Sequence, residues 1–181
     1  TDAYIERLDG KTLNGALNEG FSIFIDKYAW NSPSFLRVYF GNIDIRHHID
    51  RISTSYEDKK NTIFDLTKRY EEELLKMQSK YCFSDIEVVA ALPIENESRK
   101  LPKTGYYKDK PFWGSWSERD DSRKMFNDKC YSFCEKNNFS LVNWPENFVN
   151  ENSELDFEFM ERPRSVHISP RYYMWDAFNN E

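Results

Sequence analysis

Two short stretches concentrate the residues able to do chemistry. Gly41-Asn42-Ile43-Asp44-Ile45-Arg46-His47-His48-Ile49 sets an amide, a carboxylate, a guanidinium and two imidazoles in one run. Asp44 and Arg46 are spaced to pair, and either histidine can titrate near neutrality. The plainer alternative is a salt-bridged turn between a strand and a helix. Arg164-Ser165-Val166-His167-Ile168-Ser169-Pro170-Arg171-Tyr172-Tyr173 carries the third imidazole. There the plainer alternative is that Ser169 caps a closing helix with Pro170 at its first position. A metal site on Asp44, His47 and His48 is disfavoured, because neighbouring side chains of an extended segment point apart. A zinc site also wants ligands at paired spacings, and none can be assembled. The sequence therefore implies neither a metal nor another cofactor.

These residues must be positioned by one domain. The chain of 181 residues suits a single core spanning 1–181. Aromatics make up 17%, so large rings can fill that core or line a groove. The formal charge is −6, and no lysine or arginine run exceeds two, which argues against nucleic acid as a partner. No apolar run approaches the roughly 20 residues of a membrane span, and Thr1-Asp2-Ala3-Tyr4 does not open a signal peptide. Cys82, Cys130 and Cys134 read as three buried thiols of a reducing, intracellular compartment.

Strand signals fall at Phe35–Phe40, Ile86–Leu92 and Phe139–Asn143, each short, apolar and β-rich. Between them Asn61–Lys80 places Ile63, Leu66, Tyr70, Leu74 and Met77 at helical steps, and Asp120–Asn137 does the same with Met125, Phe126, Cys130, Phe133 and Cys134. Further helices are expected over Gly15–Trp30 and Arg171–Asn179. Strands alternating with helices predict an α/β fold, a three-layer α/β/α flavodoxin-like sandwich on a mainly parallel sheet. The ligand crevice of such a sheet lies past the carboxyl ends of its strands. The long aromatic segment 93–117, with Tyr106, Tyr107, Phe112, Trp113 and Trp116, follows a strand end and reads either as a lid or as a packed flap.

In this order the two chemical stretches resemble the SGNH/GDSL hydrolases. The nearer likeness is to a subgroup whose third block reads Gly-Glu-Ile-Asp-Cys-Arg-x-His. Gly41, Ile43, Asp44, Arg46 and His48 match it, with Asn42 for the Glu and Ile45 for the Cys. Gly10-Lys11-Thr12-Leu13-Asn14-Gly15 resembles the second block, and His167 with Ile168-Ser169-Pro170 resembles the last. Ser117-Glu118-Arg119 falls where the subgroup opens a helix with an arginine. The resemblance implies a general base at His167, an oxyanion site near Gly10, Gly15 and Asn42, and a floor of Asp44, Arg46, His48 and Arg119.

The departures bear on activity. Neither Gly-Asp-Ser nor Gly-x-Ser-x-Gly occurs, and Arg164 stands where the orienting aspartate should be. Asn42 is one residue away from the family's asparagine position, which on a strand would turn it to the other face. The family's first strand is central, so its absence should leave unpaired backbone on both neighbours inside the sheet. An N-terminal extension or a protein partner is expected to complete it. Two functions follow: an esterase or acyl-transfer domain for a small ester or acylated glycan, or a non-catalytic scaffold serving as a binding or structural component of a larger assembly.

Overall fold

The computed structural model describes residues 4–8, 10–31, 34–100, 108 and 112–172. In chain order the regular elements are α1 (Leu13–Glu19), α2 (Ser22–Ile25), β1 (Phe35–Val38), α3 (Asp50–Ile52), α4 (Tyr56–Tyr81), β2 (Asp85–Val89), α5 (Trp116–Asn137) and β3 (Ser140–Val142). A π-helical turn, Asp44–Ile49, runs into α3. The fold is α/β, and its sheet is wholly parallel in the order β1-β2-β3. That sequential order is the third-fourth-fifth part of the flavodoxin-like pattern.

The alternation of the strands decides where the core lies. Leu36 and Val38 of β1, Ile86 and Val88 of β2, and Leu141 of β3 share one face and meet the apolar stripes of α4 and α5 in one cluster. Ile63, Leu66, Tyr70, Leu74 and Met77 of α4 are buried as their spacing predicts, as are Phe126, Cys130, Phe133 and Cys134 of α5. On the opposite face Arg37 pairs with Glu87 across the β1–β2 register. Both long helices start at a serine that accepts a backbone N–H, Ser55 for α4 and Ser115 for α5, and Ser115 forms a full capping box with Glu118. A second apolar cluster, Leu92, Phe148, Leu155, Met160 and Ile168, packs beyond the end of β2.

Several sequence expectations change. The helix expected over Gly15–Trp30 is α1, α2 and a 3-10 stretch from Asp26 to Asn31, because Gly20 at φ 82° ends α1 after two turns. Pro170–Tyr172 is a 3-10 turn, and the rest of the expected terminal helix lies outside the described residues, as do Tyr106 and Tyr107. Cys82 is exposed, not buried, since it sits at φ 56° as the left-handed cap of α4. The sheet has no gap between its three strands. Among the described residues the flanks without a strand partner are the outer edges of β1 and β3, at the two ends of the sheet and not inside it. No helix among them is long and apolar enough to cross a membrane.

Candidate functional site at the strand ends

The third-block stretch leaves β1 at Gly41 and becomes helical at once. Gly41 holds φ 95°, and a Cβ there would lie 2.6 Å from the Phe126 ring. Only glycine turns the chain so tightly against α5. Because Asn42 and Ile43 are already helical, the period-two argument that turned Asn42 away does not apply to it.

Asp44 does not pair with Arg46. Its buried carboxylate accepts the N–H groups of Leu13 (2.7 Å) and Asn14 (3.1 Å) at the start of α1. Burial pushes the Asp44 carboxyl up, opposed by these two backbone bonds. The third block therefore holds the second-block turn in place. Thr12 takes the N–H of Gly15 at 2.9 Å, and Gly10 stands in an exposed turn at φ 76°.

Arg46 points the other way, into a buried ionic cluster. Its Nε donates to Glu95 at 2.5 Å and its guanidinium also reaches the Pro93 carbonyl at 3.1 Å. Arg99 donates to the second oxygen of Glu95 at 2.7 Å. Burial pushes Glu95 up, but Arg46 and Arg99 together outweigh it and hold its carboxyl below the usual range. His47 faces Arg99 at 3.3 Å, and burial, reinforced by Arg99, lowers its pKa to about 3. It is a neutral imidazole that accepts. His48 is half-buried against Arg51 at 3.0 Å, and burial lowers its pKa too. Arg119, fully buried in the first turn of α5, donates to the carbonyls of Gly114 and Glu95 and to the Glu97 carboxylate at 3.1 Å.

The extended segment Ala90–Glu95 carries this cluster, and its backbone is satisfied largely by side chains. Asn127 accepts from Ala91 N–H, Asn42 accepts from Leu92 N–H at 2.8 Å, and the indoles of Trp144 and Trp116 donate to Ala90 and Ile94. Buried backbone groups must find such partners once the ladder ends. Since the Asn42 oxygen is fixed by Leu92, its amide NH2 is turned away, and among the described residues it has no acceptor.

His167 stands on a separate hairpin. Glu161 donates its N–H to the His167 carbonyl at 2.8 Å, and Met160 bridges Ile168 antiparallel. The imidazole is exposed, with Nδ1 4.0 Å from the Glu161 carboxylate, which also takes Arg7 at 3.4 Å. Arg164, at φ 61°, is exposed, and its carbonyl accepts the Lys100 N–H at 2.8 Å, tying the hairpin to the segment that carries Arg99. The structure thus unites Asp44 with the second block, and Arg46 and Arg119 around Glu95. Among the described residues it makes no hydrogen bond or ion pair from His167 to either group. Glu95 and Arg99 were missed in sequence. Their signal was a carboxylate at the end of the apolar run Ala90-Ala91-Leu92-Pro93-Ile94 and an arginine four residues on. Among the described residues no group of three or more His, Cys, Asp or Glu could hold a metal ion.

No protein-family model and no curated protein matches the chain. Among solved structures it is similar to a Bacteroides fragilis protein named as a candidate acylhydrolase, at 14% identity and a TM-score of 0.50, over 91% of this chain and 65% of that one. The likeness is one of fold. The chain thus spans 65% of that protein's length. A Streptococcus pneumoniae protein described as a candidate platelet activating factor superposes at 11% identity and a TM-score of 0.47, over 89% of this chain and 91% of that one.

Proposed function

We propose that the chain is an ester hydrolase or acyl-transfer domain of SGNH/GDSL type, acting on an acylated carbohydrate or a similar small ester. The observation that carries this reading is the coupling of Asp44 to the start of α1, which joins the resembling second and third blocks at the carboxyl end of a parallel sheet. The acylhydrolase-like fold supports it. In this reading the Asn42 amide donates to the oxyanion that forms when the ester carbonyl is attacked. His167 removes the proton of the attacking serine and returns it to the leaving alcohol. The serine comes with a strand laid on the open edge of β1, from the same polypeptide or a partner. Arg7, which precedes the second block, pairs with the Glu161 carboxylate that also lies 4.0 Å from His167, which supports bringing the N-terminal side of the chain toward that imidazole.

A non-catalytic scaffold is the second reading. It is favoured by three second-block N–H groups that are already taken: those of Leu13 and Asn14 by Asp44, and that of Gly15 by Thr12. Acetate release from acetylated oligosaccharides by protein from its natural source separates the two. The hydrolase reading expects release that His167→Ala abolishes with the circular dichroism unchanged. Release that survives that substitution removes His167 from the chemistry, and no release on any acyl ester leaves the scaffold.

A further inference from the structure

We propose that the buried cluster past β2 is an anion-recognition site, in which Arg99 and Arg119 take a carboxylate or phosphate group. If the hydrolase reading holds, that group belongs to the substrate, which is then an anionic ester. The binding itself does not depend on that reading.

Three guanidiniums meet at one place. Arg46, Arg99 and Arg119 are 4%, 8% and 0% exposed, and the single carboxylate buried among them is Glu95, at 0%. Glu97 also touches Arg119, but its side chain is 59% exposed. The other buried acids nearby are committed elsewhere: Asp44 to α1, and Asp120 to Arg123 and Lys124. His47 adds no charge, since it is held neutral against Arg99. The cluster thus keeps an excess of positive charge, in a chain whose formal charge is −6. A buried charge calls for a partner, and an incoming anion supplies one.

The hydrogen-bond donors tell the same story independently. The Nε of Arg119 is buried and has no partner among the described residues. Arg99 spends only Nη1, on Glu95 and His47, and among the described residues its Nε and Nη2 have no acceptor. The fork is also held flat: the Phe112 ring lies 4.6 Å from the Arg119 guanidinium carbon and 5.7 Å from that of Arg99. A planar, fixed pair of donors suits the two oxygens of a carboxylate or phosphate, and it does not suit a cation or a neutral hydroxyl.

The test is calorimetric titration of the whole chain with inorganic phosphate and, separately, with glucuronate, at constant ionic strength. Saturable binding at concentrations up to about 10 mM is expected for at least one of them, and the tighter one names the group. Arg99→Gln should weaken it by about tenfold or more, Arg99→Lys by less, and Lys100→Gln, on the exposed neighbour, not at all. No saturable binding by the unaltered chain overturns the proposal, as does an Arg99→Gln protein that binds equally well. If neither Arg99 variant folds, the unaltered chain decides: its Tm should rise with phosphate or glucuronate and not with chloride of equal ionic strength, and equal rises overturn the site. Anion binding without ester hydrolysis leaves this site standing and removes the enzyme reading. Hydrolysis of neutral acetyl esters without anion binding does the reverse.

Discussion

Asp44 shows how a residue with chemical potential can be held by architecture. Its carboxylate takes two N–H groups that α1 would otherwise leave without acceptors. Asp44→Ala should lower stability by about 1–3 kcal/mol, read as a lower urea midpoint, while Asp44→Asn keeps one acceptor and should cost less. His47 makes a pH prediction. Its folded pKa of about 3 lies below the ordinary 6.5, so the unfolded chain binds a proton that the native chain refuses. Stability is therefore fully present above about 6.5 and is lost as pH falls, by up to about 1.4 kcal/mol per unit. Arg99, Glu95, Arg46 and His48 are the charged and titratable groups that set it. His48 shifts with the same sign. Asp44 and Asp50 are raised, which acts in the opposite sense and lower down the pH scale, so the window from 6.5 to about 5 is the cleanest. Urea unfolding across that window should show a shallower slope for His47→Gln than for the unaltered chain. At this scale the sequence pointed to Asp44, Arg46 and Arg119 but paired Asp44 with Arg46, which the structure turns to different partners. The partners of Asp44 and Arg46 lie 31 and 49 residues away, and nothing local announces them.

At the scale of elements, periodicity was legible wherever one face had to be buried. The stripes of α4 and α5 fall on the core as spaced, and the strands fall within two or three residues of where β-rich runs place them. What failed were the transitions. Setting His47 and His48 apart and turning Asn42 away treats the stretch after Gly41 as extended, yet it coils immediately into a π-helical turn, held by contacts with α1 and Glu95. Gly41 is the pivot. Gly41→Ala would demand a left-handed alanine and push its Cβ into Phe126, costing about 2 kcal/mol or more. The denaturation midpoint checks this, and an unchanged midpoint would mean that α5 yields there.

At the scale of the whole molecule, the described residues form a three-stranded parallel sheet with helices on its apolar face and a platform of side chains at its carboxyl end. Alternating strands and helices made that class readable. They could not say where a further strand belongs, because strand order is set by crossovers and not by local pattern. β2 is paired on both flanks and β1 on one. Amide exchange should therefore be slowest in β2, with the outer-edge amides of β1 exchanging much faster in this chain alone. Protection of β1 equal to that of β2 would mean that its edge is covered.

The central claim is that this platform serves a serine nucleophile through His167. Labelling of protein from its natural source with a fluorophosphonate, followed by mass mapping, tests it most directly. The account predicts a label on one serine carried by the strand that pairs with β1, lost in His167→Ala. An absence of label, or labelling indifferent to that substitution, would contradict it.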